Sequence, residues 1–455
     1  MSSAIAHDAG FGTHVKHSLL LVGFAALMFY VTRAVPDMHG GLWTIAAIGF
    51  LLLAGTLTSE LLGPLGLPHL TGYLIAGIAA GPYVLRLVDT QTVKSLSPIN
   101  TLALSLIALT GGAELDMAAM RRASRSLAWA TLVQCLLVLV LVSAAFFAAR
   151  PLIPFARALP VAPLFGVALL WGALAVTRSP SATLGILSQT RATGPVATFT
   201  LAFVMTSDVV VVVLMASVFA CVRPLIDPSG TFSFDSFVVL GHNLFGSIAL
   251  GTTLGLVIAA YVRLVNRQML VVLLVLGFGA STVLDYLQFD SLLTFIVAGF
   301  IVRNMSKQGH KLVTYIEQTG TVVYVIFFAT AGADLDVPLL RELWPVALLM
   351  AGSRALITYG GSRLAGRLAK DPPVLRRWGW SGLVSQAGLA LGLSVLVARE
   401  FPTIGTGFRA LAIATVAVNE MIGPILFKRA LDRSKETSQV RQASFPSIAP
   451  PPMSG

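Results

Sequence analysis

Apolar residues dominate the chain in long runs that short polar or charged segments separate. A helix needs about 20 residues to cross the hydrocarbon core of a bilayer, so each run near that length predicts a transmembrane helix. The pattern predicts about 14 spans, at 18–34, 42–62, 68–85, 98–116, 125–149, 162–190, 195–222, 235–262, 268–285, 288–303, 312–334, 341–366, 376–398 and 406–430. An alternative for the first run is a signal peptide, although no clear cleavage site follows it. The predicted fold class is an all-α polytopic membrane protein.

Composition supports this class and excludes others. Of 455 residues, 56% are hydrophobic and only 11% are charged, and the mean hydropathy is +0.84, so much of the surface must face lipid. The net charge of +11 lies in short loops without a basic, aromatic-interleaved patch, and we expect no nucleic-acid partner. No Ser/His/Asp or metal-ligand arrangement and no glycine-rich phosphate loop is present. We expect neither an enzyme nor an ATP-driven pump, and no cofactor.

Lys and Arg concentrate in the segments on the side of the N terminus, with five between 363 and 377 and five between 428 and 441. The positive-inside rule then predicts that both termini lie in the cytoplasm. We expect the membrane to be the cell (inner) membrane. The expected organisation is a cytoplasmic segment at 1–17, a transmembrane domain at 18–430 and a disordered, Pro/Ser-rich cytoplasmic tail at 431–455.

The chain repeats one motif with its charges in register. Residues 112–116 (GAELD, with Arg121 beyond) return as 332–336 (GADLD, with Arg341 beyond), and Ala76-Gly77 upstream corresponds to Ala298-Gly299. Seven predicted spans separate equivalent positions, so the two copies cross the membrane in opposite directions. Such inverted repeats, here about 68–222 and 288–430, are typical of secondary transporters with a site near the bilayer midplane.

Four ionisable residues lie near the middle of predicted spans: Asp208, Glu420, Arg178 and Arg354. A charge at this depth costs several kcal/mol, so each is a candidate for function. An alternative is that they form ion pairs that only orient helices. We expect Arg178 to pair with Glu420, and Arg354 to face Asp208 or the Ser207 turn.

Two spans carry residues that interrupt helices. One contains Thr177-Arg178-Ser179-Pro180-Ser181, where the proline removes a backbone donor, and the other is rich in glycine and polar residues around Ser385. These sequences predict two broken helices that cross beside a carboxylate, whose unwound carbonyls coordinate a dehydrated alkali cation. The expected ion- and proton-binding residues are Asp208, Ser207, Thr206, Thr177 and Ser179; the charge-compensating residues are Arg354, Arg178 and Glu420; and the helix-breaking residues are Pro180, Ser181, Ser385, Gln386 and Gly388. We expect no catalytic residue, and no metal other than the transported cation at Asp208.

Several segments, in their order along the chain, resemble the monovalent cation:proton antiporter superfamily, which includes sodium/hydrogen exchangers and Kef-type systems. They are LGLPHLTGYLIAGIAAGP (65–82), the Asp208 helix, FIVAGF (295–300), LMAGSRALITY (349–359), SQAGLALGL (385–393) and NEMIGPILFKRAL (419–431). The resemblance implies a sodium/proton antiporter-like fold with a dimerising scaffold domain, a mobile core domain, crossed broken helices and elevator-like movement. It also implies that Asp208 carries the ion, that Arg354 faces it and that the protein is a homodimer.

The sequence departs from the family pattern at several positions. Ser207 stands before Asp208 where relatives have Asn, Asp or Gln, Phe203 and Val204 occupy the region of an exchanger-type glutamate, and Arg178 lies inside a broken helix. We expect a secondary antiporter that exchanges Na⁺ or K⁺ for H⁺ by alternating access, with electroneutral stoichiometry. The alternative is a non-transporting or channel-like subunit whose arginines and Asp208 form a locked ion-pair network. The position of Arg178 inside a broken helix is the feature that favours this alternative.

Overall fold

The computed structural model describes residues 16–31, 41–65, 67–115, 117–226, 235–265, 269–287, 289–305 and 322–438. In these ranges every extended regular element is a helix and none is a strand. The helices are α1 (Lys16–Val31), α2 (Gly41–Leu62), α3 (His69–Ala80), α4 (Thr90–Ser95), α5 (Ser97–Glu114), α6 (Met117–Ala148), α7 (Val161–Ala175), α8 (Pro180–Thr190), α9 (Pro195–Ile226), α10 (Asp235–Leu264), α11 (Met269–Leu287), α12 (Ser291–Met305), α13 (Val322–Ala333), α14 (Val337–Leu368), α15 (Pro373–Trp378), α16 (Gly388–Glu400) and α17 (Pro402–Arg433).

Several of these helices are long and apolar enough to cross a bilayer. Within the described residues there are five such spans, at Trp43–Leu65, Ala123–Ala148, Val161–Thr190 (α7 together with α8), Gly241–Leu264 and Pro402–Arg433. The pair α13–α14, bent by 85° at its break, makes a sixth, and shorter apolar helices accompany them. The predicted all-α membrane class is confirmed, while the number of spans stays a prediction. Of the predicted span 312–334, the part before 322 lies outside the described residues.

The end of the last helix differs from the expectation. The tail was predicted to begin at 431, but α17 continues to Arg433, and Glu436 and Thr437 after it are buried. Composition alone failed here because the short polar segment 434–438 obtains its order from contacts with a distant part of the chain, described below. Residues 439–455 lie outside the described part.

Glycines pack the two predicted repeats against each other in a reciprocal way. A Cβ on Gly77 would overlap the carbonyl of Ala329, and one on Gly299 would overlap the carbonyl of Leu109. Gly112 and Gly332 stand in the same relation to the carbonyls of Ile296 and Leu74. The α3–α13 contact is thus repeated by α12–α5, with each helix pair joining one copy to the other. The reciprocal contacts are what two inverted repeats would produce, and the repeats and their limits stay a prediction.

Helix α9 connects the two largest hydrophobic clusters. One cluster gathers residues of α3, α5, α8 and α12 with the first half of α9, up to Met205. The other gathers residues of α6, α7, α14, α16 and α17 with the second half of α9, from Val211. Position 208 of the chain therefore lies between the two cores, on a helix that continues without interruption from Pro195 to Ile226.

Candidate functional site

The first predicted helix break is present between α7 and α8. Helix α7 ends at Ala175 and α8 begins at Pro180, which occupies the first helical position, where its missing N–H is no loss. Ser179 caps α8 by accepting a hydrogen bond from the Ala182 amide (3.2 Å), and its Oγ lies 3.2 Å from that of Ser181. Residues 176–179 are buried, so their backbone groups need protein partners.

The second break lies between the 3-10 turn Ser381–Leu383 and α16. The chain leaves the turn at Val384, and regular helix resumes at Gly388. Ser385 and Gln386 within this break are buried. Both breaks therefore fall where Pro and Gly predict them.

Arg354 on α14 fastens the two breaks to each other. Its guanidinium donates hydrogen bonds to four backbone carbonyls, two in each break: Ala175 (2.7 Å), Thr177 (2.7 Å), Leu383 (3.2 Å) and Val384 (2.6 Å). Carbonyls at a helix end lack intrahelical donors and carry partial negative charge, which a buried cation balances. The described contacts of Arg354 are thus with these breaks. The Asp208 side chain lies outside the described residues, so the facing of Arg354 and Asp208 stays a prediction.

A chain of side-chain amides makes a second link between the breaks. Gln386 donates to the Thr177 hydroxyl (2.8 Å) and to the Leu174 carbonyl (3.2 Å), while Thr177 donates its own proton to Leu174 (2.8 Å). Asn419 on α17 donates to Oε1 of Gln386 (2.7 Å), which fixes the orientation of that amide. The predicted residues Thr177 and Gln386 are therefore in direct contact. The passage of one broken helix across the other stays a prediction.

Asn419 and Gly423 of α17 were not among the predicted site residues. Both lie on the face of α17 that meets the second break, since positions four apart share a helix face. A Cβ on Gly423 would overlap the backbone and hydroxyl of Ser385, so only glycine permits this approach. The signal was available in the segment 419–424, where Asn419 and Gly423 stand four residues apart and therefore share a helix face.

The predicted pair between Arg178 and Glu420 is not among the ion pairs that the described residues form. Arg178 is buried, donates to the Val176 carbonyl (2.7 Å) and lies over the Phe203 ring at 4.6 Å. Glu420 is partly exposed. It follows Asn419 directly, and successive helical side chains diverge by about 100°, so when Asn419 points to the break, Glu420 points away.

The hydroxyls beside Asp208 are held by their own helix. Thr206 donates to the Ala202 carbonyl (2.7 Å), and the buried Ser207 donates to the Val204 carbonyl (3.0 Å). Their oxygens keep lone pairs that can accept a proton donor or coordinate a cation. Helix α9 also touches the first break, through Phe203 under Arg178, and the turn before the second break, through Thr200 against Gly382. Position 208 lies little more than one helical turn beyond Phe203.

A large cavity leads along α9 toward this position. Its volume is about 1090 Å³, and residues of α2, α3, α8 and α9 line it together with Arg303, Ala113 and Tyr324. Ala197, Thr198 and Leu201 form the α9 wall. Asp208 follows Leu201 by seven residues, which is two helical turns on the same face, or about 10 Å deeper along the axis. Arg191, directly after α8, and Arg303, in the last turn of α12, also line the wall, and both lie on the side that the positive-inside rule predicts to be cytoplasmic.

Comparison with known proteins decides the family. A family model described as "Sodium/hydrogen exchanger, transmembrane" matches residues 48–432. The chain belongs to this family. Two structures of the sodium proton antiporter MjNhaP1 from Methanocaldococcus jannaschii have a similar fold at 18% sequence identity. The structure at pH 8 matches with a TM-score of 0.63 over 88% of this chain and 97% of that one, and the three-dimensional electron-microscopy map with 0.66 over 89% and 97%.

Membership in the sodium/hydrogen exchanger family confirms the resemblance that the sequence motifs carried. The fold is that of an antiporter, and the chain is a multi-pass cation/proton antiporter rather than an enzyme. Among the predicted site residues, the structure brings together Thr177, Gln386 and Arg354, and it places Ser179 in the first break and Pro180 and Ser181 in the first turn of α8 directly after it. Their roles in transport are proposals.

Proposed function

We propose that the protein exchanges one monovalent cation, Na⁺ or K⁺, for one proton by alternating access at Asp208. The supporting observation is the position of residue 208, on an unbroken helix between two buried breaks and beyond the end of a wide cavity. A carboxylate there binds either a proton or a dehydrated cation, and never both at once. The exchange of the two follows from this competition when the site opens to each side in turn.

The described hydrogen bonds narrow the set of ligands for the cation. The break carbonyls that we expected to coordinate it already accept bonds from Arg354, Arg178 and Gln386. A guanidinium bound to a carbonyl repels a second cation at that oxygen. We therefore assign coordination to the Asp208 carboxylate and water, while the arginines hold the breaks in place. On the continuous helix α9, positions 207 and 206 project about 100° and 200° away from position 208, so their hydroxyls do not share its ligand shell.

We also propose the setting of the protein. The distribution of Lys and Arg supports a cell-membrane orientation with both termini in the cytoplasm, so the cavity lined by Arg191 would open inward. The family resemblance supports a homodimer with a static scaffold and a moving core. In the alternative, the protein is a channel-like subunit in which the arginines and Asp208 form a locked ion-pair network. The described contacts at the breaks are hydrogen bonds from side chains to backbone carbonyls and between the side chains of Thr177, Gln386 and Asn419, rather than ion pairs.

Everted membrane vesicles provide the test. A proton gradient is established, Na⁺, K⁺ and Li⁺ are added in turn, and the dissipation of the gradient is followed with a pH-sensitive dye. We expect saturable dissipation with Na⁺ or K⁺ at an unchanged membrane potential. Dissipation in which protons follow the membrane potential without dependence on any cation would favour the channel-like reading. No response to any cation would reject antiport.

A further inference from the structure

The segment that follows the last helix folds back onto the start of α9. Glu436, which is 4% exposed, accepts hydrogen bonds from the Val196 amide through Oε1 (2.9 Å) and from the Ala197 amide through Oε2 (2.8 Å). Each carboxylate oxygen thus satisfies one of the free amides in the first turn of α9. The negative charge also lies at the positive end of the helix dipole.

Further bonds fix the backbone of this segment. The Thr193 amide donates to the Glu436 carbonyl (3.0 Å), and the Ser438 hydroxyl donates to the Thr190 carbonyl (3.2 Å). A Cβ on Gly194 would overlap the Glu436 side chain, so the glycine makes room for the carboxylate. We call residues 434–438 the C-terminal clasp, because both its side chains and its backbone hold the α8–α9 connection.

The clasp joins the two helices on which the site depends. Helix α9 carries Asp208, and α17, from which the clasp extends, carries Asn419, which orients Gln386 in the second break. Thr193 and Ala197, which the clasp contacts, also line the large cavity. At its other end α9 is tied to α16 by the ion pair of Arg223 with Glu400 at 3.4 Å. That pair is partly exposed, and ion pairs near a surface stabilise little, so the buried clasp is the firmer attachment.

We propose that Glu436 is a positioning residue for cation/proton exchange: through its cap on α9 it fixes Asp208 relative to the second break, so that the cation site is formed before the cation arrives. The proposal rests on the exchange at Asp208 proposed above. Without the cap, part of the binding free energy is spent on ordering α9. The concentration of cation that gives half-maximal exchange then rises, while the maximal rate per folded molecule stays near that of the wild type.

The test compares Glu436→Ala, Glu436→Gln and the control Asp432→Asn. Asp432 is partly exposed one turn earlier, so its variant removes the same charge without removing the cap. In everted vesicles with the most effective cation, we expect Glu436→Ala to raise the half-saturating concentration about three- to tenfold, where tenfold corresponds to about 1.4 kcal/mol. Glu436→Gln keeps one acceptor oxygen and should give a smaller rise, and Asp432→Asn should give none.

Hydrogen exchange measured by mass spectrometry supplies a readout that does not need transport. The amides of Thr193, Val196 and Ala197 should exchange faster in Glu436→Ala than in the control, and those near Leu174 should not change. Should Glu436→Ala fail to reach the membrane, Glu436→Gln carries the comparison. An unchanged half-saturating concentration in folded Glu436 variants overturns the positioning role and leaves antiport intact. A wild-type protein that moves no protons in response to cations overturns antiport first, and the positioning role with it.

Discussion

Broken membrane helices leave backbone carbonyls without hydrogen-bond donors, and here the single residue Arg354 supplies donors to four of them. The carbonyls at the break ends have no intrahelical donor, and lipid cannot supply one in the hydrocarbon region. The planar guanidinium offers five N–H groups in a fixed fork, and four of its hydrogen bonds reach both breaks at once. A lysine, with three donors on one atom, cannot span the same set.

Replacement of Arg354 should therefore be costly. Arg354→Ala leaves four buried carbonyls without this donor, and we expect a loss of about 3–5 kcal/mol, the range seen when a buried charged partner is removed. Arg354→Lys should recover only part of it. Thermal unfolding in detergent measures the loss, with Arg341→Ala, an exposed site on the same helix, as the control. Unchanged melting temperature together with unchanged cation affinity in Arg354→Ala would contradict this role.

Asp208 is the residue on which antiport itself depends. Asp208→Asn keeps the size and polarity of the side chain but removes its negative charge, so it should abolish cation-dependent proton movement without unfolding the protein. Dye-monitored dissipation of the gradient in everted vesicles measures the activity, and immunoblotting of the membrane fraction measures the amount of protein. Glu342→Gln, at an exposed position of α14, should behave as wild type. Transport retained by Asp208→Asn would remove this residue from the mechanism.

At the scale of helices, α17 shows what the sequence could and could not predict. The breaks at Pro180 and Gly388 were predictable, because the backbone chemistry of proline and glycine acts locally. The partners of the freed carbonyls were not, because they depend on which helix packs beside the break. Glu420 was selected because it is an ionisable residue near the middle of a predicted span. Its neighbour Asn419 is the residue that forms a hydrogen bond with Gln386 in the second break. Likewise, Glu436 has no local signal, since its order comes from α9.

The close approach of α17 to the second break gives a prediction at this scale. Gly423→Ala places a methyl group against the Ser385 backbone, so either the helix or the break must move, and we expect a destabilisation of about 1–3 kcal/mol. Gly360→Ala is the matched control, because a Cβ there meets no atom within 4 Å and alanine favours a helix by about 1 kcal/mol. Thermal unfolding and the half-saturating cation concentration should both worsen only in Gly423→Ala. Equal behaviour of the two variants would refute the contact.

For the molecule as a whole, the sequence predicts two repeats and an orientation from its charge distribution, and both stay predictions. The shared GAELD and GADLD motifs mark the glycines that join the copies, since Gly112 and Gly332 make equivalent contacts. The packing of one copy against the other could not be predicted, because two matching motifs do not determine which helices are in contact. The position of residue 208 between two hydrophobic cores likewise emerges only when both clusters are assembled.

The net charge of the transport site predicts the stoichiometry of the whole cycle. Electrogenic members of the family share two adjacent acidic residues at the ion site and a lysine opposite them that can release its proton. Here the neighbour of Asp208 is Ser207, which does not ionise, and the base that we predict to face it is Arg354, which stays protonated. One carboxylate then carries one proton or one monovalent cation, so the site has the same net charge in both half-cycles. We expect 1:1 exchange that is insensitive to membrane potential.

Proteoliposomes under a potassium–valinomycin clamp, with Na⁺ as the exchanged cation, measure this insensitivity. Moving one net charge through 100 mV is worth about 2.3 kcal/mol, so an electrogenic cycle would respond clearly, whereas we expect equal rates at zero and at inside-negative potential. Glu420 is the one further acid near the midplane of the α17 span, and the variant Glu420→Gln tests it as a second proton carrier. Acceleration by an inside-negative potential in the wild type, lost in Glu420→Gln, would replace electroneutral exchange with a cycle of two protons per cation. Acceleration that persists in Glu420→Gln would place the second charge elsewhere and would still defeat the 1:1 cycle.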